Sequence, residues 1–268
     1  MVPSFERVIV RLAINAVEEE LAPAVAACRR EGLGIEVTGF AYPRQLDHDL
    51  GERIVAHAEA LSGLEAVASH GPFVDLYPTS SDPRIVTVCR ERHEAALEAS
   101  IAVGASIYVA HLNSLPQIRN RSYRETFADR SADFWVPLAE QAARHGVTIV
   151  LENLWEPGPE LQRAVVERAA HPALKASFDN GHALVFSPVP SSDWVATLGA
   201  DLAHCHLHDN DATYDHHWPV GRGKEDWPAL LDALSAHAPG AFVVLECDRL
   251  DQNLASLEAT RALLDGGR

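Results

Sequence analysis

The feature that most constrains this chain is a repeated alternation. Short β-branched runs are each followed by a longer amphipathic stretch, and the pair recurs eight times. The strand runs are "RVIVRLA" (7–13), "GIEVTGF" (34–40), "AVASH" (66–70), "SIYVAH" (106–111), "VTIVLE" (147–152), "KASFD" (175–179), "AHCHLH" (203–208) and "FVVLE" (242–246). Between and after them the pattern predicts helices over 17–32, 49–63, 83–104, 132–146, 158–171, 191–200, 226–238 and 253–267. Ser or Asp stands at several plausible helix starts, and Gly32, Gly104, Gly146 and Gly266 stand at plausible ends. Strand then helix, eight times over, predicts an α/β chain folded as a (β/α)8 TIM barrel. A length of 268 residues suits one such barrel, and no linker or low-complexity segment divides it, so 1–268 reads as a single domain. The long connections 71–82, 112–127, 181–190 and 209–225 all follow strands. In this architecture those loops build the C-terminal face, where active sites lie.

The strand ends carry the chemistry. Strand 3 ends in His70, strand 4 in His111, strand 5 in Glu152, strand 6 in Asp179 and strand 8 in Glu246, while strand 7 carries His204, His206 and His208. Residues i, i+2 and i+4 of a strand share a face, so the three histidines are expected to point inward, with Cys205, Leu207 and Cys247 outward. His204 is expected to fill a lower layer. A carboxylate closing a run of β-branched residues is costly to bury alone. Several of them converging on one barrel mouth would repel one another, and a divalent cation removes the conflict. Mixed imidazole and carboxylate donors suit Zn, Mn or Fe better than Mg or Ca.

Thirty-eight acidic against 22 basic residues give a formal charge of −16. Such a surface argues against nucleic acid and anionic membranes as partners. No apolar run is long enough for a membrane span, and the N-terminal stretch lacks the pattern of a signal peptide. Cys28, Cys89, Cys205 and Cys247 show no CxxC spacing and read as reduced thiols, which suggests a cytoplasmic protein. The acidic run "VEEE" (17–20) suits the first turn of a helix and needs no functional role. Trp135 reads as core. Assembly into a homo-oligomer is left open.

The fragments "SHGPFVDLYPTSSDP", "VLEN", "SFDNGHA", "HLHDND", "DHHWPVGRG" and the "LE" of strand 8 together resemble the xylose-isomerase-like TIM-barrel superfamily over about residues 65–247. That superfamily holds sugar and sugar-phosphate isomerases and epimerases, related dehydratases, and the endonuclease IV family. The resemblance implies a four-ligand metal site of Glu152, Asp179, His206 and Glu246, with His208 replacing His206 if the strand phase slips. Endonuclease IV-like members hold up to three ions, and the further ligand positions match His70, His111, His182, Asp215 and His217. The bland alternatives are barrel-mouth ion pairs for the glutamates, an N-cap for Asp179, a loop histidine hydrogen-bonded to backbone for His182, and solvated loop positions for Asp215 and His217. Arg222 stands where the family commonly has an acidic residue between two glycines. It is expected, with Lys224, to meet a small anionic group of a substrate. Phe73, Trp218 and His208 are expected to contact substrate.

The function implied is a metal-dependent isomerase or epimerase acting on a small sugar, sugar phosphate or related polyol carbonyl. Glu152 and Glu246 would carry the proton across a metal-stabilised enediolate, with one to three divalent ions per chain. Two alternatives stay open: an endonuclease IV-like phosphodiesterase with two or three ions, and a lyase or dehydratase on the same scaffold.

Overall fold

Eight parallel strands pair edge to edge in chain order, and the last closes on the first. They are β1 (Arg11–Ala16), β2 (Gly34–Val37), β3 (Val67–His70), β4 (Ile107–His111), β5 (Thr148–Glu152), β6 (Leu174–Asp179), β7 (Leu202–Leu207) and β8 (Phe242–Leu245). The structure is a computed structural model that describes residues 11–118 and 120–266. Each predicted run lies on a strand, although β1 extends C-terminal to its run, whose first four residues lie outside the described residues.

Alternation along the strands sorts side chains into two cores. Ala13, Ala68, Ile107, Val109, Val150, Phe242 and Val244 pack together inside the barrel. Their neighbours Ile14, Tyr108, Ala110, Ile149, Leu151, Val243 and Leu245 pack outward against the helices. Cys205 and Leu207 belong to the outer set, as expected. The same period carries the inner rows up to His70, His111, Glu152, Asp179, His206 and Glu246. The barrel interior therefore carries an apolar set low down, with Glu36, Ser177 and His204 buried beside it, and is polar at its C-terminal mouth.

Among the described residues the helices are α1 (Leu21–Glu31), α2 (Pro43–Asp47), α3 (Leu50–Leu61), α4 (Pro83–Ala102), α5 (Arg121–Ala143), α6 (Glu160–Ala169), α7 (Asn180–Phe186), α8 (Ser191–Leu198), α9 (Trp227–His237) and α10 (Leu250–Gly266). Side-chain caps start α4, α5, α7 and α9. Asp82 accepts from Arg84 N ahead of α4, and Asp226 accepts from Ala229 N ahead of α9. Gly32 ends α1 at φ 69, a left-handed conformation that glycine adopts at no steric cost.

Three differences from the sequence pattern stand out. The acidic run 17–20 forms a 3-10 turn, Glu18–Glu20, rather than the first α-turn. Helix α5 starts eleven residues earlier than its periodicity suggests. Asn120 caps it by accepting from Tyr123 N at 2.6 Å, and Tyr123 in turn accepts from Leu115 N at 2.8 Å. The connection 181–190 is mostly the short helix α7, started by Asp179, whose Oδ1 accepts from His182 N at 2.7 Å.

All four cysteines are buried free thiols. No helix among the described residues is long and apolar enough to cross a membrane.

Candidate active site and metal centre

Paired amide side chains fix the strand ends that form the mouth. Asn153 joins β5 to β6: its Nδ2 donates to Asp179 O and its Oδ1 accepts from Asp179 N, both at 2.9 Å. Asn180 does the same toward β7, donating to His208 O at 2.9 Å and accepting from His208 N at 3.0 Å. The long loop after β7 is folded back by Asp209. Its carboxylate accepts from Asn210 N, Gly221 N, Glu225 N and Trp227 Nε1 at 2.9–3.2 Å. That loop returns Asp215 and His217 to the mouth. His217 takes φ 48, unusual for a non-glycine residue and frequent at functional sites.

All nine ligand positions named from the sequence come together. They form three overlapping groups. In the first, His70 Nε2 and His111 Nε2 lie 3.6 and 3.4 Å from Glu152 Oε2. In the second, His206 Nδ1 lies 3.4 Å from Glu152 Oε1, 3.7 Å from Asp179 Oδ2 and 3.3 Å from Glu246 Oε2. In the third, His182 Nε2 and His217 Nε2 lie 3.3 and 3.1 Å from Asp215 Oδ2. Glu152 thus gives one oxygen to the first group and the other to the second. Asp179 serves both readings offered by its sequence: Oδ1 caps α7 and Oδ2 faces His206.

The donor set fits a divalent cation. His206 Nδ1, Glu152 Oε2 and Asp215 Oδ1 are buried polar atoms without a hydrogen-bond partner, which native interiors rarely tolerate. The 3.3–3.7 Å spacings around His206 Nδ1 exceed good hydrogen bonds. They resemble the separation of two ligands about 2.1 Å from one tetrahedral ion, roughly 3.4 Å.

The protonation balance points the same way. Burial pushes Glu152 upward, but the charges of His111 and His206 and the close approach of the His182 ring outweigh it and hold its carboxyl well below the usual range. Asp179 is likewise buried, yet His182 and His208 bring it down to about 2. Burial lowers His206, but Glu246, Glu36 and Glu152 outweigh it and raise the ring well above its ordinary value. His217, also disfavoured by burial, is raised to about 10 by Asp215 and Glu246. His111 is the exception, lowered to about 3 by burial. In the protein alone, imidazolium protons balance the buried carboxylates; a dication is the alternative counter-charge.

The groups open onto a cavity of about 570 Å³. His70, Phe73, His111, Glu152, His182, Asp215, His217 and Glu246 are on its wall. Phe73 stacks on His111 with centroids 4.4 Å apart. The other expected substrate contacts lie elsewhere. His208 is fully buried behind the cavity, its Nε2 3.2 Å from both Asp179 oxygens, and its ring stacks on His217 at 4.0 Å. Arg222 and Lys224 are exposed and do not line the cavity, because the loop fold held by Asp209 turns them outward. Trp218 also lies off the cavity, stacked on His216 at 4.2 Å.

Sequence reasoning missed two features. Glu36, the one carboxylate of β2, is fully buried inside the barrel, bonded to both His204 and His206. Glu18 and Glu19, read as a helix turn without functional role, line the cavity with Thr38, Tyr42, Gln45 and Asp248. The signal for the second was available, since these residues follow strands β1, β2 and β8 on the loop face.

Fold and site define a closed (β/α)8 barrel with a cluster of metal-ligating side-chain types at its C-terminal mouth. The chain belongs to the xylose isomerase-like TIM barrel family, which it matches over residues 19–265. It is similar to the TTHB071 protein of Thermus thermophilus, solved after soaking with ZnCl2: 29% identity, TM-score 0.82, covering 97% of this chain and all of that one. It shares its fold with a D-tagatose 3-epimerase-like protein (20% identity, TM-score 0.78, 96% and 97% covered). The fold is also that of a D-allulose 3-epimerase from Methylomonas sp. (18%, 0.75, 94% and 97% covered). An uncharacterised protein of Methanocaldococcus jannaschii is 24% identical over 208 residues, 74% of this chain and 70% of that relative.

Proposed function

We propose that this chain is a metal-dependent isomerase or epimerase acting on a small, uncharged sugar or related polyol carbonyl. One observation carries the reading: β5, β6, β7 and β8 bring Glu152, Asp179 and Glu246 around the unpartnered Nδ1 of the buried His206, and Glu152 and Glu246 carry that cluster to the wall of a cavity of sugar size. The epimerase folds that this barrel resembles support it.

Glu152, Asp179, His206 and Glu246 would hold a divalent ion, which would supply Lewis acidity toward a substrate carbonyl. The protein does the rest. Glu152 ends β5 and Glu246 directly follows β8, 3.4 and 3.3 Å from His206 Nδ1. A carboxylate oxygen of one removes the proton from the carbon between carbonyl and hydroxyl. The electron pair left behind spreads onto the carbonyl oxygen as an enediolate. The carboxyl group of the other returns a proton, to the same carbon from the opposite face or to its neighbour. Glu246, with 12% of its side chain exposed, is the more open to substrate. Phe73 supplies an apolar wall for ring C–H groups.

The wall favours an uncharged substrate over a phosphorylated one. Among the described residues no lysine or arginine lines the cavity, whereas Glu18, Glu19 and Asp248 do. A panel of free sugars incubated with protein and Mn²⁺ or Zn²⁺ in D2O tests the reading. Exchange of one C–H for deuterium, with a second sugar appearing, is the expected result. A panel showing neither, alongside hydrolysis of a phosphoester, would replace it.

The two outer groups favour a second reading, a phosphodiesterase with three ions. Counter-charge separates the two. Against one dication, the carboxylates Glu152, Asp179, Asp215 and Glu246 leave a formal charge of about −2, which repels phosphate. Three dications reverse it to about +2 and attract phosphate.

A further inference from the structure

Four imidazoles of the mouth have one ring nitrogen held and the other aimed inward. His70, His182 and His217 are held at Nδ1 by the backbone carbonyls of Gly71, Asn153 and Glu246, at 2.8, 2.9 and 3.0 Å. His206 is held at the opposite nitrogen and by a different chemistry. Its Nε2 lies 2.8 Å from Glu36 Oε1. The other oxygen of Glu36 lies 3.0 Å from His204 Nε2, and His204 Nδ1 lies 2.8 Å from the Ser177 hydroxyl. Glu36, Ser177, His204 and His206 are all fully buried.

This arrangement dictates tautomers. An ionised carboxylate only accepts, so Nε2 of both rings carries hydrogen. His204 then accepts at Nδ1, and the Ser177 hydroxyl donates to it. The Nδ1 lone pair of a neutral His206 is fixed toward Glu152, Asp179 and Glu246. The 2.8 and 3.0 Å contacts are ordinary hydrogen bonds, and an ion between Glu36 and the two rings would need the donors farther apart.

We propose that Glu36 is a positioning residue for the metal centre: it sets the tautomer and ring plane of His206 and makes the group around His206 the tightest-binding of the three. The proposal rests on the reading that Glu152, Asp179, His206 and Glu246 hold a divalent ion. An anion behind an imidazole strengthens its ligating nitrogen more than a neutral carbonyl does. His204, itself held by the Ser177 hydroxyl, holds the second carboxylate oxygen, so Glu36 is fixed at both ends. The outer groups, backed by carbonyls at His70, His182 and His217, gain no such support.

The test uses the full chain, stripped of metal and titrated with Zn²⁺ alone against a chromophoric chelator, as wild type and as Glu36→Gln. The near-isosteric variant should keep its circular dichroism and lose ~10–100-fold in affinity for the tightest ion. Any weaker ions should bind as before, and Glu36→Asp should recover part of the loss. Unchanged tight binding in Glu36→Gln overturns the proposal. If that variant does not fold, long-range ¹H–¹⁵N spectra of zinc-loaded wild type decide. Ligated Nδ1 with a hydrogen-bonded Nε2–H on His206 is expected; ligation through Nε2, or zinc seated between Glu36 and the two rings, overturns it. Wild type that binds no ion removes the underlying metal reading instead, and the proposal with it.

Discussion

Glu152 Oε1 and His206 Nδ1 face each other at 3.4 Å inside the barrel mouth, and the imidazole nitrogen has no hydrogen-bond partner. The nitrogen is buried, and its ring is held from behind. That combination is unstable for two isolated groups and natural for two ligands of one ion.

Removing either proposed proton carrier should stop turnover without emptying the cavity. Glu246→Gln is expected to lower kcat by ~10²–10⁴-fold on any sugar found in the D2O panel, in keeping with the loss of a general base. Sugar binding, measured by calorimetry, should persist. Unchanged deuterium exchange would end the assignment of Glu246.

The outer groups should be separable from the inner one. Asp215→Asn and His217→Ala remove donors of the third group, whose contacts converge on Asp215 Oδ2, and leave the inner set Glu152, Asp179, His206 and Glu246 unsubstituted. If isomerisation is the activity, these variants lose an ion by elemental analysis yet keep measurable C–H exchange. Loss of all exchange with the inner ion still bound would favour the three-ion hydrolytic reading.

Metal and pH should act on stability together. His217 is raised to about 10 in the folded protein alone, with Asp215 as its partner, against about 6.5 when unfolded. A raised histidine contributes its full stabilisation below pH ~6.5 and loses it as pH climbs through its folded value. The metal-free protein should therefore soften from pH 7 to 10. Zinc needs the deprotonated ring, so the rise in Tm that it causes should grow over the same range. A zinc-induced Tm shift that shrinks with pH would contradict this.

Gly181 is a packing test of the same region. A Cβ there would run into the His208 ring, which is fully buried against Asp179. Gly181→Ala should cost about 1–3 kcal/mol by denaturant unfolding, the usual range for overpacking. It should also weaken metal binding, by displacing His208 and the Asp179 it supports. A variant as stable as wild type would show that His208 has room to move.

Much of this molecule is legible in its sequence because barrel strands are buried on both faces and announce themselves by composition. The strand-end donors were visible for a related reason: Glu152, Asp179 and Glu246 each break an apolar run at its last residue. Glu36 was not visible. It sits mid-strand in "GIEV", where a polar residue reads as ordinary alternation, and its partners His204 and His206 lie 168 and 170 residues away. The early start of α5 was hidden because a side-chain cap at Asn120, not hydrophobic periodicity, sets it. Arg222 misled for the opposite reason. Sequence places it beside the Asp215–His217 loop, but the turn held by Asp209 faces it outward.

The most direct test is anomalous diffraction from crystals of the protein, collected at the zinc and manganese edges after exposure to each ion. A peak about 2.0–2.2 Å from Glu152, Asp179, His206 Nδ1 and Glu246 is the predicted result. Well-ordered carboxylates and imidazoles with no peak among them would contradict it.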